Sequence, residues 1–538
     1  MKKYLSSGRA VARGAGTGTG AARAPARTGT SFAPRFARSL PLAVLAAAVL
    51  GACSLAPHYE RPAAPVSAAF PGGDAYKTND AVGSGVAAAD LGWQDVFVDA
   101  RLKAIIALAL KNNRDLRVAV LNVATARAQF QVERAGLLPS FSVSAADSRA
   151  RTPADLTYTG RPTLGSEYTA VGNASWELDL FGRVKSLSDA ALATYFSTAQ
   201  ARKAAEISLV AQVANQYLTV RGYDAQLVVT QNTLKTAGES YRIAKLQFDN
   251  GVGTALDLKQ SEGIVDQAQA NLQDQIRSRA QAVNALVLLV GAPLPEELPP
   301  PLPLDDQHII ADIPAGVPSD LLTRRPDIIE AEQTLLADNA SIGAARAAFF
   351  PSISITGSAG AASSDLGRLF KAGQAYWTFA PQINIPIFSG GENTANLDIA
   401  KVRKNIGIAN YEKAIQTAFR EVSDSLAARG TYDDQIDALT RYVASQQNRL
   451  DLSDLRYKNG VDSYLSVLTA QTDLYTAQQM LVTAQMDRAT NLVLLYQRLG
   501  GGWLARTGDA PRPADAPPDY ANVDRNGTPL PDKAKHGG

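Results

Sequence analysis

The chain has 538 residues, 46% of them apolar, with 53 basic and 51 acidic side chains for a net formal charge of +2. That length suffices for a large core and two or three ordinary domains, and the near-cancellation of charge removes any electrostatic case for nucleic acid. Three scattered histidines, His58, His308 and His536, lack the spacing of a metal cluster, and a single cysteine, Cys53, excludes a disulfide within the chain.

Residues 1–52 read as an export signal. A basic stretch without acidic residues precedes an apolar run from Leu40 to Leu50 that ends LGAC. The run falls short of the roughly 20 residues a spanning helix needs, so it fits a signal peptide instead. Residues 53–98 are rich in Pro, Ala and Gly without periodicity, which describes an extended surface arm. Helical patterning starts at Asp99, runs to Lys111, and resumes from Arg114 to Gly136, where Pro139 ends it.

After Pro139 the period changes to two. Phe141 and Val143 alternate with serines, and Trp176, Leu178 and Leu180 alternate with Glu177 and Asp179, predicting strands over about 139–147 and 168–181. Ile353 and Ile355, then Ile383, Ile385 and Ile387, repeat the device over about 351–358 and 376–388. Taken singly, each such strand fits a half-buried sheet of a soluble domain.

The segments between and after the strands are proline-free and heptad-patterned. Val213, Val220, Leu227, Leu234, Tyr241 and Phe248 recur every seven residues, predicting one helix over 187–249, roughly 90 Å long at 1.5 Å per residue. A return helix over 255–290 carries Leu258, Val265, Leu272 and Leu286, its seam broken by Arg279. A second long helix over 393–457 carries Ile436, Val443, Leu450 and Tyr457, and its return over 462–498 carries Val467, Leu474, Leu481 and Leu495, broken by Arg488. Gly251 and Gly460 stand 209 positions apart, as do Asn250/Asn459, Val252/Val461, Leu286/Leu495 and Gly291/Gly500, so the chain is an internal duplication. Its repeats span 99–292 and 319–503, joined by a Pro-rich linker over 293–318, and a tail over 504–538 reads as disordered.

Each return helix is shorter than its long helix, and the Arg114–Gly136 helix supplies the difference if stacked on it end to end. This puts the strands at one end, the Gly251 and Gly460 turns at the other, and the loose connections at the middle. Four strands cannot close a barrel, and open edges are not tolerated in a bilayer. Three chains supply twelve strands; two would supply eight, whose interior fills with side chains.

The LGAC site, the following SLAPHYERP, RRPDIIEAE from Arg324 to Glu332, RAGLLPS and RAAFFPS before the strands, the FDNGV and YKNGV turns and the closing LGGGW form a specific set. Together they resemble the TolC and OprM family of outer-membrane factors of tripartite efflux pumps, in its lipoprotein branch. The resemblance implies a mixed α+β membrane protein: a homotrimeric twelve-stranded outer-membrane β-barrel continued by a periplasmic α-helical coiled-coil barrel. It also implies a lipidated Cys53 in contact with outer-membrane lipid, no other cofactor, and no enzymatic activity. The implied partners are a periplasmic adaptor and an inner-membrane transporter of the resistance, nodulation and division (RND) type. Drugs, dyes, detergents or solvents are the implied cargo.

By the same resemblance, a periplasmic gate falls on Asp462, Leu465, Ser466 and Thr469, where Thr469 stands in place of a family aspartate ring. Tyr457 and Asp257 match latch positions, with Arg456, Lys458 and Lys259 as charged candidates nearby. A protein-secretion duct of a type I exporter shares these features. A lipid-anchored periplasmic coiled-coil scaffold without a channel is the alternative of a different class.

Overall fold

Two long helical hairpins and one sheet dominate the computed structural model, which describes residues 54–76, 86–304, 313, 318–510 and 512–514. The export signal, Cys53, His308, His536 and tail residues 515–538 lie outside the described residues. The arm ends in α1 (Trp93–Val96), and repeat one contains α2 (Ala100–Asn112), α3 (Arg114–Ala135), β1 (Ser140–Thr152), β2 (Thr163–Leu178), α4 (Arg183–Asp249) and α5 (Ala255–Val290). Repeat two contains α6 (Pro318–Arg324), α7 (Pro326–Ala347), β3 (Ser352–Ser363), β4 (Ala375–Asn384), α8 (Glu392–Lys458) and α9 (Tyr464–Arg498).

Local chemistry sets the helix ends. Asp99 caps α2 by accepting from the backbone of Arg101 at 2.7 Å and Leu102 at 3.3 Å, and Asn113 caps α3 through Leu116 N at 2.8 Å. Both hairpin turns use one device. Gly251 (φ 76°) and Gly460 (φ 69°) adopt the left-handed conformation that glycine reaches without steric cost. Val252 N then bonds Gln247 O, and Val461 N bonds Arg456 O, each at 2.9 Å, closing the last turn of each long helix.

The short helices stack as their lengths require. Asn113, at the start of α3, donates to Leu289 O near the end of α5 at 2.8 Å, and Arg325, before α7, donates to Arg498 O at the end of α9 at 3.1 Å. The Arg residues that break the return seams are ion-paired within their own hairpins: Arg279 with Asp224 and Arg488 with Asp433, each at 2.5 Å.

The strands make one antiparallel sheet in the order β1-β2-β3-β4. Its register aligns Phe141, Ala174, Gly357 and Phe379 in one row, and Val143, Gly172, Ala359 and Trp377 in the next row on the same face. Ser142, Asn173, Ser358 and Thr378 form a row on the opposite face. The apolar face is uncovered: Val143 is 88% exposed and Trp377 76%. A soluble domain would bury that face, so the half-buried sheet of a soluble protein is the wrong description here.

The strands differ in extent from the alternation. β1 reaches Thr152 and β2 starts at Thr163, because backbone pairing of Asp147–Thr152 with Thr163–Tyr168 continues the ladder where apolar alternation stops. At the other end Leu180, Ile385 and Ile387 lie beyond the strands. Pro386, which has no N–H to donate, stands two residues past the end of β4.

The middle is the main apolar core, where the sequence suggested loose connections. Ile105, Ile106, Val213, Leu218, Val290, Ile328, Leu335, Tyr411, Val422 and Leu495 pack there. Two further expectations are corrected. Within the 53–98 arm, Trp93, Val96 and Phe97 are buried in this core. The tail is ordered as far as it is described: Trp93 N bonds Leu504 O at 2.9 Å, Gln94 N bonds Ala505 O at 3.0 Å, and Arg512 pairs with Glu206 at 2.7 Å. These bonds join segments far apart in sequence, which no local periodicity records.

Residues 55–61 of the arm run along α7, and further on Phe70 stacks on Phe419 of α8. Arg346 donates to Leu55 O at 3.0 Å, Asn339 donates to Pro57 O at 2.8 Å, and buried Glu332 accepts from Tyr59 at 3.1 Å and pairs with Arg61 at 2.7 Å. Removing a partnered buried carboxylate of this kind costs about 1–3 kcal/mol. Glu332→Ala is therefore expected to leave the fold intact while making the arm several-fold more sensitive to limited proteolysis.

Below the core the seams differ from the heptad reading. Leu227, Leu234 and Tyr241 are half-buried and Phe248 is exposed, while the buried positions of α4 are Thr230, Ala237 and Ala244. In α5 the buried residues are Ser261 and Ala268, followed in the core by Ala282, Leu286 and Val290, and in α9 Ala470, Ala477 and Ala484 join Val467 and Leu474. Small residues let α4 approach its neighbours closely, which leaves the bulky heptad positions of α4 on the flank, whereas Val467 and Leu474 of α9 stay buried.

Candidate functional site: the hairpin tips

The far ends of α8 and α9 bring the four gate candidates together. Asp462, Leu465, Ser466 and Thr469 line one groove with Arg449 and Arg456. Asp462 is held from both sides: Oδ1 accepts from Ser463 N at 2.8 Å and Ser466 Oγ at 3.1 Å, and Oδ2 accepts from Arg456 Nε at 3.3 Å. These bonds, the Ser463 amide first, hold its carboxyl below the usual carboxylate range. A depressed pKa means that the contacts are present above the ordinary carboxylate pKa and are lost only as pH falls through the lower value, so a mildly acidic medium leaves them in place.

Leu465 is 54% exposed, one turn above Asp462. Thr469, a turn further, turns its hydroxyl back onto Leu465 O at 2.9 Å, so this face presents a methyl group where a carboxylate would present charge. Arg449 pairs with Asp473 at 2.6 Å, tying α8 to α9.

Of the latch candidates, the structure joins only Tyr457 to the first hairpin. Its hydroxyl donates to Gln247 Oε1 near the end of α4 at 2.8 Å, and its ring lies 5.0 Å from that of Tyr464. Burial, and then the nearby Asp257 charge, push this phenol above its ordinary pKa. Asp257 itself is engaged in the cap of α5, accepting from Thr254 Oγ1 at 2.7 Å while its own N–H donates back to that oxygen at 3.0 Å. The charged candidates have local partners: Arg456 with Asp462 at 3.3 Å, Lys458 with Asp454 at 2.6 Å and Lys259 with Glu262 at 2.6 Å.

Sequence reading missed Gln247, because a glutamine on a polar helix face carries no pattern. It also missed Gln471, which donates to Ser240 Oγ at 3.2 Å across the same two hairpins. A buried amide opposite an alanine seam was the available signal.

A sheet with one uncovered apolar face and two free edges, set on long paired helices, defines the class of outer-membrane channel subunits. The family profile "Outer membrane efflux protein" matches residues 105–292 and 317–501, one stretch for each repeat. The chain is 48% identical to a probable efflux pump outer membrane protein, TtgC, of Pseudomonas putida, over 88% of this chain and 97% of that one. It is 43% identical to the outer membrane protein OprJ of Pseudomonas aeruginosa, over 86% and 95%. The solved open-state outer membrane channel MtrE of Neisseria gonorrhoeae superposes with a TM-score of 0.76 at 42% identity, covering 85% of this chain and all of that one.

The chain belongs to the outer membrane efflux protein family. It is an outer-membrane component of an efflux pump, with its helical body in the periplasm.

Proposed function

We propose that three copies of this chain form the passive exit duct of a tripartite efflux pump. Twelve strands close a barrel through the membrane, and six hairpins close a tube beneath it. The observation that carries this reading is the pair of unpaired strands, β1 and β4, flanking an uncovered apolar face. Each unpaired backbone group in lipid costs several kcal/mol, and joining β4 of one copy to β1 of the next removes both edges. Half-buried Leu227, Leu234 and Tyr241, with Ile436, Val443 and Leu450 on the second hairpin, supply apolar flanks for contacts between copies.

A lipid on Cys53 complements the barrel as an anchor, since Leu55, two residues on, is held beside Arg346 near the foot of β3. The turn crowns carry exposed Val252 and Val461, apolar points of attachment for a periplasmic adaptor. That adaptor links the duct to an RND-type inner-membrane transporter, which supplies the energy.

The gate is a ring of three Leu465 side chains, bounded by Asp462, Ser466 and Thr469, which raises a dewetting barrier. The Tyr457–Gln247 bond restrains the second hairpin against the first. Tyr457→Phe removes one neutral bond worth about 1 kcal/mol, so planar-bilayer conductance is expected to rise about fivefold. Unchanged conductance would count against the latch. For the duct itself, deletion of the gene is expected to raise dye and solvent accumulation in cells, with recovery on re-expression. Normal efflux in the deletion strain together with loss of a secreted protein would instead mark a secretion duct.

A further inference from the structure

We propose a second latch, higher in the helices: a buried layer of uncharged polar groups around Thr230 and Tyr475 that limits how far separation at the tips can run. It rests on the reading of the tips as a gate and adds a stop to it.

The layer joins α4, α5 and α9, and so both hairpins. Thr230, fully buried, lies 3.2 Å from the Tyr475 hydroxyl. Gln479 Nε2 donates to Thr230 Oγ1 at 3.3 Å and to Gln226 O at 3.4 Å, and Gln275 Nε2 donates to Tyr475 at 3.4 Å. Tyr475 stands eleven residues into α9, roughly 17 Å above its start at 1.5 Å per residue. Below it come a middle rung, Gln471 to Ser240, and the tip rung, Tyr457 to Gln247.

Two facts make this layer a latch rather than ordinary packing. First, ion pairs tie the two helices of each hairpin: Arg449–Asp473 in the second hairpin below the layer, and Arg279–Asp224 in the first and Arg488–Asp433 in the second just above it. The rungs between hairpins are neutral; buried Ala237, Ala244 and Ala470 lie between them, together with Leu474 and a small apolar cluster at the tips, Tyr464, Val467 and Leu468 with half-buried Ile264. Separation at the tips gives up that small cluster and the two lower rungs in turn, and the Thr230–Tyr475 layer is the next polar contact between the hairpins that it meets. Above the layer the apolar core takes over, and separation stops.

Second, Gln275 Oε1 and Gln471 Oε1 are buried and accept no hydrogen bond from the chain. A shift of α9 can recruit these acceptors without leaving another group unsatisfied, as a layer with two arrangements requires. Buried polar groups of this sort also fix helix register, which restores the closed alignment after opening.

Thr230→Val with Tyr475→Phe deletes the hydroxyls at nearly constant volume. In full-length channels in planar bilayers, this pair combined with Tyr457→Phe is expected to raise conductance at least about fivefold beyond Tyr457→Phe alone, one further neutral bond per copy. Assembly of each variant is checked by size in detergent. A combined conductance equal to that of Tyr457→Phe overturns the proposal. If Tyr457→Phe alone changes nothing, the tip latch fails, and the layer is judged by whether its own double variant raises conductance.

A second measurement guards against misfolding. Thr230→Cys with Gln479→Cys, bridged by a short bis-methanethiosulfonate in the Tyr457→Phe background, is expected to lower conductance several-fold until the bridge is reduced. Equal conductance in the bridged and reduced states overturns the proposal.

Discussion

Phe379→Arg should abolish stable insertion into the outer membrane, while Thr378→Arg, one residue away, should leave it nearly unchanged. Phe379 is the fifth residue of the ten in β4 and lies in the row with Phe141, on the apolar face. Thr378 points to the opposite face, where Ser358 Oγ lies 2.5 Å from its hydroxyl. An arginine facing lipid near the midplane of a barrel costs about 2–4 kcal/mol, and a threefold assembly incurs that cost three times. An arginine on the polar face meets water. Fractionated membranes and the size of the extracted assembly report the difference. Equal recovery of both variants would show that the apolar face is not in lipid.

Asp99→Ala should cost about 3–5 kcal/mol, seen as a lower midpoint in chemical denaturation of the extracted protein. The estimate combines the loss of a helix cap, about 1 kcal/mol, with stranded buried partners at about 1–3 kcal/mol each. Asp99 caps α2 through Arg101 N and Leu102 N, accepts from the Tyr217 hydroxyl at 2.6 Å, and lies 3.4 Å from Leu302 N in the linker. It therefore ties α2, α4 and the interrepeat linker together at the core. Burial, then the adjacent Asp99, push the Tyr217 phenol far above its usual pKa, so it stays a neutral donor. Asp99→Asn, which keeps the cap acceptor, should cost less than half as much. Equal losses for Ala and Asn would place the effect in the charge of Asp99 rather than in its bonds.

The repeated architecture was legible because it is written in local patterns. Proline at 139 and 351, the Asn-Gly turns, and the change of period from two to seven name the strands, the hairpins and their order. The packing below the core was not legible in the same way. Heptads of Leu and Tyr mark the most apolar stripe of α4, but its buried stripe is the neighbouring Thr230, Ala237 and Ala244, whereas in α9 the heptad residues Val467 and Leu474 are buried beside Ala470 and Ala477. The bulky stripe of α4 stays half-buried.

At the tips, the family pattern led to the groove of Asp462, Leu465, Ser466 and Thr469, and to Tyr457. It did not lead to Gln247, whose role depends on a helix more than two hundred residues away. Nor did it anticipate that Arg456, Lys458 and Lys259 would be occupied by carboxylates three to six residues along their own hairpins. Such short-range ion pairs on exposed helices contribute little to stability, and here they remove the charged candidates from the latch. The corner formed by residues 92–95 and 504–507 was also hidden, because backbone bonding between distant irregular segments leaves no periodic trace.

The central claim is that copies of this chain close a barrel that none can close alone. The most direct test is native mass measurement of the full-length protein extracted from outer membranes, followed by reconstitution of the same sample in a planar bilayer. The account predicts a trimer that inserts and conducts, with conductance rising when Tyr457 is replaced by Phe. A monomer or dimer that leaves the bilayer silent would contradict it.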